Sequence, residues 1–196
     1  ELVIKLPEIF AVGQLFFNNK IEDILPEINK ILKNEKLSLS AIRKAPVKKN
    51  ILGKIALDCL SNIYQLFISP SEKVFNEQNF DTNLLQARKF IEEIFFDDEI
   101  LYFCSFSSKT IVYKGLMLPN AIKEFYLDLQ HKDLTASSCV FHQRFSTNTS
   151  PRWHLAQPFR MLAHNGEINA IQGNRNWVKA RSSKFITPLI LSLIHI

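Results

Sequence analysis

Two short apolar runs in the last third of the chain each end in a dense polar block, and this pairing constrains the fold more than any other feature. Ser138–Phe145 and Phe159–Ala163 have the β-branched and aromatic character of strands. The first delivers His142-Gln143-Arg144-Phe145-Ser146-Thr147-Asn148-Thr149, and the second delivers Ala163-His164-Asn165-Gly166-Glu167-Ile168-Asn169. Strands that end in Arg and in Asn-Gly can aim a cation and a pair of N–H donors into one pocket. That is equipment for holding a carboxylate and stabilising an oxyanion. Each residue also has a plainer reading by itself. A lone Arg at a strand end is usually a surface ion pair, and Asn165-Gly166 alone is a hairpin turn. His164 reads as a satisfied rim or core histidine, and Trp153 and Trp177 as packing.

The rest of the chain supplies a scaffold of mixed type. Ile9–Phe17 reads as a strand, with Gly13 a bulge or close-approach point. Lys20–Leu32 carries apolar residues at Ile21, Ile24, Leu25, Ile28, Ile31 and Leu32, a helical period, with Pro26 in its first turn or at a kink. Ser38–Gly53 reads as a connection, and Ile63–Ser69 as a strand ended by Pro70. Asn83–Phe96 is a helix on its apolar spacing, capped by Asp81 or Thr82. Leu101–Phe106 and Thr110–Lys114 read as a hairpin around Ser107-Ser108-Lys109. Asn120–Leu129 is a short helix, and Asn169–Arg181 becomes helical toward its far end despite Gly173. Irregular alternation of short strands and helices predicts an α+β fold, mostly antiparallel sheet packed against helices.

Bulk properties narrow the function classes. With 196 residues, 46% hydrophobic and 22% charged, the chain has the composition of a soluble globular domain. A net charge of +5 and the cluster Arg43, Lys44, Lys48, Lys49 and Lys54 raise a nucleic-acid-binding alternative. Pro46 and Gly53 interrupt that cluster, however, and no aromatic platform is interleaved with it. Three widely spaced cysteines, Cys59, Cys104 and Cys139, argue against a disulfide framework and a zinc site, and suit a reducing compartment. A third possibility is a cysteine hydrolase using Cys139 near His142. On one strand their odd separation would put those side chains on opposite faces. The chain begins at Glu1 and closes in the apolar run Ile186–Ile196. The reading is therefore an incomplete domain over residues 1–185, followed by a truncated or artefactual tail over 186–196. That tail is too short to span a membrane.

Taken together, the two polar blocks, with Pro151, Trp153, Leu155-Ala156-Gln157-Pro158-Phe159-Arg160 and Gly173-Asn174-Arg175-Asn176-Trp177, resemble the glutaminase domain of glutamate synthase large subunits. Ser105–Gly115 and Ala11-Val12-Gly13-Gln14 resemble segments of the same family. The resemblance implies a class II glutamine amidotransferase with the four-layer αββα sandwich of the amino-terminal-nucleophile hydrolases. It implies that Arg144 holds the α-carboxylate of L-glutamine and that Asn165 and Gly166 form the oxyanion hole. Ser146, Thr147 and Glu167 would shape the substrate pocket. The nucleophile of that family is an amino-terminal cysteine whose own amine serves as base. None of the cysteines here holds that position, so the expectation is that this piece alone has no glutaminase activity. By the same resemblance, FMN and a 3Fe–4S cluster belong to other domains of a parent protein. Ferredoxin or a nicotinamide-dependent small subunit would supply electrons there, in the cytoplasm or a plastid stroma. No metal, nucleic acid or membrane partner is expected.

Overall fold

The computed structural model describes residues 6–71, 76–95, 101–145, 150–159 and 170–184. The chain separates into two compact units, Glu1–Arg160 and Met161–Ile196.

In the first unit the apolar run after Phe10 forms β1 (Ala11–Phe17). The helical period that follows becomes α1 (Ile21–Asn34), whose buried stripe is Ile21, Ile24, Ile28, Ile31 and Leu32. Glu22 and Asp23 in its first turn and Lys33 in its last complement the helix dipole. Pro26 sits in the second turn, rather than the first, on the solvent side. The chain leaves α1 through Lys36 in the left-handed region, at φ 58°, and enters β2 (Leu37–Lys44). The expected connection over Ser38–Gly53 is thus a strand over its first part, Ser38 to Lys44. After the short α2 (Lys54–Asp58) comes β3 (Asn62–Pro70).

Next is α3 (Glu77–Ile94), which begins six residues before the expected Asn83. Its cap is Asn76, not Asp81 or Thr82: the Asn76 side chain accepts from the backbone N–H groups of Gln78 at 3.0 Å and Asn79 at 3.4 Å. Phe80 extends the buried stripe through Leu84, Ala87, Arg88 and Ile91. β4 (Tyr102–Ser107) follows. The expected hairpin is absent, because Thr110–Lys114 forms no strand and β4 pairs with β1 instead. The Val112 N–H goes to the Ser105 hydroxyl at 3.1 Å, a side-chain acceptor in place of a ladder. α4 (Ile122–Phe125) lies between two 3₁₀ turns, so the helix expected over Asn120–Leu129 is broken into three pieces.

The four strands form one sheet in the order β2-β3-β1-β4, every neighbouring pair antiparallel. One face carries Leu15, Phe17, Leu66, Ile68 and Phe103 against the stripes of α1 and α3. The other carries Phe16, Ile63 and Cys104 against Ala45, Leu52, Ala56, Phe125, Tyr126 and Trp153. Gly13 is the close-approach point: a Cβ there would stand 2.8 Å from Phe106 Cδ2. One residue on, the β1–β4 register shifts between Gln14 and Leu15.

Ser138–Phe145 is not a strand in its described residues, and Val140 and Phe141 are 87% and 81% exposed. Strand propensity reflects fit to a half-buried pleated surface, and no described strand lies beside this run to provide one. The described part of the second unit is α5 (Gln172–Arg181) and a closing 3₁₀ turn. The Arg181 guanidinium stands 5.2 Å from the centre of the Trp177 ring. The 185/186 domain boundary and the tail 186–196 lie outside the described residues.

Candidate active site

The face of the sheet away from α1 and α3 is where polar chemistry accumulates. Gln14 on β1 and Gln65 on β3 are opposite one another and fully buried. Arg43, on the neighbouring β2, donates through Nε to Gln65 Oε1 at 2.6 Å and through Nη2 to Asp128 Oδ2 at 2.7 Å. Gln65 Nε2 and the Tyr113 hydroxyl donate to the same Asp128 oxygen, at 3.2 and 3.4 Å. Burial, with the Asp128 carboxylate adding to it, pushes the Tyr113 phenol up to about 12. Gln14 lies beside the Tyr126 hydroxyl, yet neither atom of its carboxamide makes a well-formed hydrogen bond. The Tyr126 hydroxyl donates to Lys114 O at 2.7 Å.

Arg43 and Lys44 of the basic cluster are therefore committed within the fold. Lys44 donates to Asn62 Oδ1 at 2.8 Å and lies over the Tyr64 ring. That leaves Lys48, Lys49 and Lys54 as a thin basic surface, and nothing among the described residues of this cluster favours a nucleic-acid reading.

Lys114 ends the apolar run Ile111-Val112-Tyr113 and is 1% exposed. Its Nζ donates to the Tyr102 hydroxyl at 3.0 Å and to the His154 and Ala156 carbonyls at 2.9 Å each. The same nitrogen lies 4.4 Å from the Tyr102 ring centre and 5.1 Å from that of Phe159. Burial lowers its pKa to about 8 and is the largest influence; charge on Cys104 would oppose it. Next to it Gly115 leaves room for an indole: a Cβ there would run into Trp153 Cζ3 and stand 2.7 Å from Met117 Cε. Trp153 is held by its Nε1–H, which donates to Ala56 O at 2.9 Å.

Beyond this clamp lies a cavity of about 340 Å³. Its walls include Tyr113, Lys114 and Gly115 on one segment, Cys139, His142 and Arg144 on a second, and Ala156, Gln157 and Pro158 on a third. Arg144 is thus placed at a cavity of substrate size, although on an exposed irregular segment rather than a strand end. Ser146, Thr147, Asn165, Gly166 and Glu167 lie outside the described residues. Cys139 and His142 line the same cavity, so the strand-alternation argument that separated them does not apply.

The other two thiols have no catalytic setting. Cys104 is buried and its thiol is pushed up to about 12 by that burial, while Cys59 donates to Ile55 O at 3.0 Å. Among the described residues no group of three or more His, Cys, Asp or Glu could hold a metal ion. None of their helices is long and apolar enough to cross a membrane. Sequence reasoning passed over Lys114 and Asp128. The available signal was a charge inside an apolar run, an arrangement too costly to persist without partners.

The chain matches the family of class-II glutamine amidotransferases over residues 1–195. It is 40% identical over 186 residues to the chloroplastic ferredoxin-dependent glutamate synthase of Oryza sativa subsp. japonica, covering 91% of this chain and 11% of that protein. Against the NADPH glutamate synthase large chains of Bacillus subtilis and Azospirillum brasilense it is 37% and 38% identical. These matches cover 94% and 91% of this chain, and 12% of each relative. The chain therefore spans about a tenth of the length of these relatives. A match that runs through both polar blocks and the whole of the described sheet carries the assignment: this chain belongs to the class-II glutamine amidotransferases.

Proposed function

We propose that this chain is part of the glutaminase domain of a glutamate synthase, the domain that releases ammonia from L-glutamine for the amination and reduction of 2-oxoglutarate elsewhere in a larger protein. The observation that carries this reading is Arg144 on the wall of the cavity, in a chain whose family membership extends from end to end. Arg144 pairs its planar guanidinium with the substrate α-carboxylate through two parallel hydrogen bonds. The Asn165 side-chain amide and the Gly166 N–H stabilise the oxyanion that forms as the side-chain amide is attacked. Ser146, Thr147 and Glu167 shape the pocket.

The attacking thiol belongs to an amino-terminal cysteine, with the terminal amine as its base, and is none of Cys59, Cys104 or Cys139. Attack forms a glutamyl thioester and expels ammonia; water then cleaves the thioester to give glutamate and regenerate the thiol. The finer architecture is the αββα sandwich of the amino-terminal-nucleophile hydrolases, of which the four-stranded sheet with α1 and α3 on one face is one sheet and one helical layer. The compartment is a reducing one, cytoplasm or plastid stroma.

The glutamate synthase reading brings FMN and a 3Fe–4S cluster to the larger protein. Cys104 is buried on β4 and Cys59 is tied to its own helix, which suits neither to cluster ligation. No step here passes through either group. They belong to other domains, as does the encounter with ferredoxin or a nicotinamide-dependent small subunit.

The test is Arg144→Lys in the full-length protein that carries this domain. A lysine cannot reproduce the bidentate fork, so glutamine-dependent synthesis is expected to fall far more than synthesis from free ammonia. Equal loss of the two activities would make Arg144 a structural residue and end the assignment of its role.

A further inference from the structure

Lys114 is a buried cation with no carboxylate beside it among the described residues, and a group so costly to bury requires an account. Its three oxygen acceptors surround one nitrogen, as suits a tetrahedral ammonium. A planar guanidinium fork would need them spread in one plane. Two of the acceptors are the backbone carbonyls of His154 and Ala156; the third is the Tyr102 hydroxyl on β4. The residues that follow, Gln157 and Pro158, line the same cavity as Arg144. Gly115 completes the arrangement by letting the Trp153 indole lie against the backbone just after Lys114. One dipeptide thus both tethers the 153–158 segment and gives it room.

We propose that Lys114 is a positioning residue for glutamine: its Nζ anchors the backbone at His154 and Ala156 to β4 and thereby fixes one wall of the cavity that Arg144 lines. This rests on that cavity being the glutamine pocket. The tether survives loss of the proton. A neutral amine donates to the two carbonyls and accepts from the Tyr102 hydroxyl, which burial keeps protonated.

The experiment measures the KM for glutamine, and the rates with glutamine and with ammonia, in the full-length protein carrying Lys114→Met, Lys114→Arg, Tyr102→Phe or Arg144→Lys. Methionine keeps the bulk and loses every donor. Lys114→Met is expected to lower kcat/KM for glutamine by about 10–100-fold, mostly through KM. Its ammonia-dependent rate should stay close to the parent's. Lys114→Arg should share the defect in part. Tyr102→Phe removes one partner of three and should show the same pattern at about 2–5-fold, which keeps the test open if the methionine variant fails to fold. Parallel loss of both activities, or an unchanged KM in Lys114→Met and Tyr102→Phe, would overturn the proposal. If Arg144→Lys raises the KM and the Lys114 and Tyr102 variants do not, the glutamine pocket stands and only the role of Lys114 falls. If Arg144→Lys leaves the KM unchanged, the cavity is not the glutamine pocket and the proposal falls with it.

Discussion

Replacing Lys114 by methionine should change how stability depends on pH, by an amount that follows from the burial of one amine. In the folded chain that amine titrates near 8 rather than at the usual 10.5. At roughly 1.4 kcal/mol per tenfold, its ionised form is disfavoured by folding to the extent of about 3 kcal/mol. Between these two values the unfolded chain binds more protons than the folded one, so stability rises with pH there. The contribution is fully present above the unfolded value and is lost as pH falls through the folded one. Integrating both titrations from about pH 7 to about pH 10 leaves a gain of about 2.5 kcal/mol in the parent that Lys114→Met lacks.

The offset between the two proteins at neutral pH is a separate matter, since the variant also orphans two buried carbonyls at about 1–3 kcal/mol each. The assay is urea unfolding of both proteins at several pH values. The quantity read is the difference between the two curves. Curves that run parallel from pH 7 to 10 would refute the idea that this amine is desolvated by folding.

Other substitutions test other parts of the structure by the same measurement. Gly115→Ala drives a methyl into an indole that cannot retreat from its bond to Ala56 O. A loss of about 1–3 kcal/mol or more is expected, and an unchanged midpoint would show that the Trp153 ring moves freely. Asn76→Ala removes the acceptor for two N–H groups at the start of α3. It should cost about 1 kcal/mol, and a neutral result would mean that α3 frays there. Lys36→Gly relieves a side chain held at φ 58°. It should be neutral or stabilising by up to about 1 kcal/mol, and clear destabilisation would contradict the left-handed backbone at that residue.

The elements legible in the sequence were those with an unbroken period. α1 and α3 announce themselves by buried stripes at helical spacing, and β1 and β3 by dense apolar runs that a central strand buries on both faces. β2 was not legible, for two reasons. It is an edge strand of serines and basic residues, and its register against β3 shifts between Leu39 and Ala41, which breaks the alternation that would betray it. Thr110–Lys114 shows the opposite failure. Its composition is that of a strand, but Val112 spends its N–H on a serine hydroxyl and Lys114 turns inward to bind carbonyls. At the cavity, the resemblance pointed to Arg144. Lys114 escaped notice because only the tertiary fold brings residues 154 and 156 to it.

The two faces of the sheet must also assemble in different ways. α1 packs on the strands that flank it directly in sequence, so that helix closes short loops. The opposite face is sewn by bonds between Ala56 and Trp153, 97 residues apart, and between Arg43 and Asp128, 85 apart. Such distant stitches pay a larger loop entropy and form late. Amide protons around Trp153 should accordingly exchange before those of α1, placing the earliest breathing of the molecule beside the cavity that Arg144 lines.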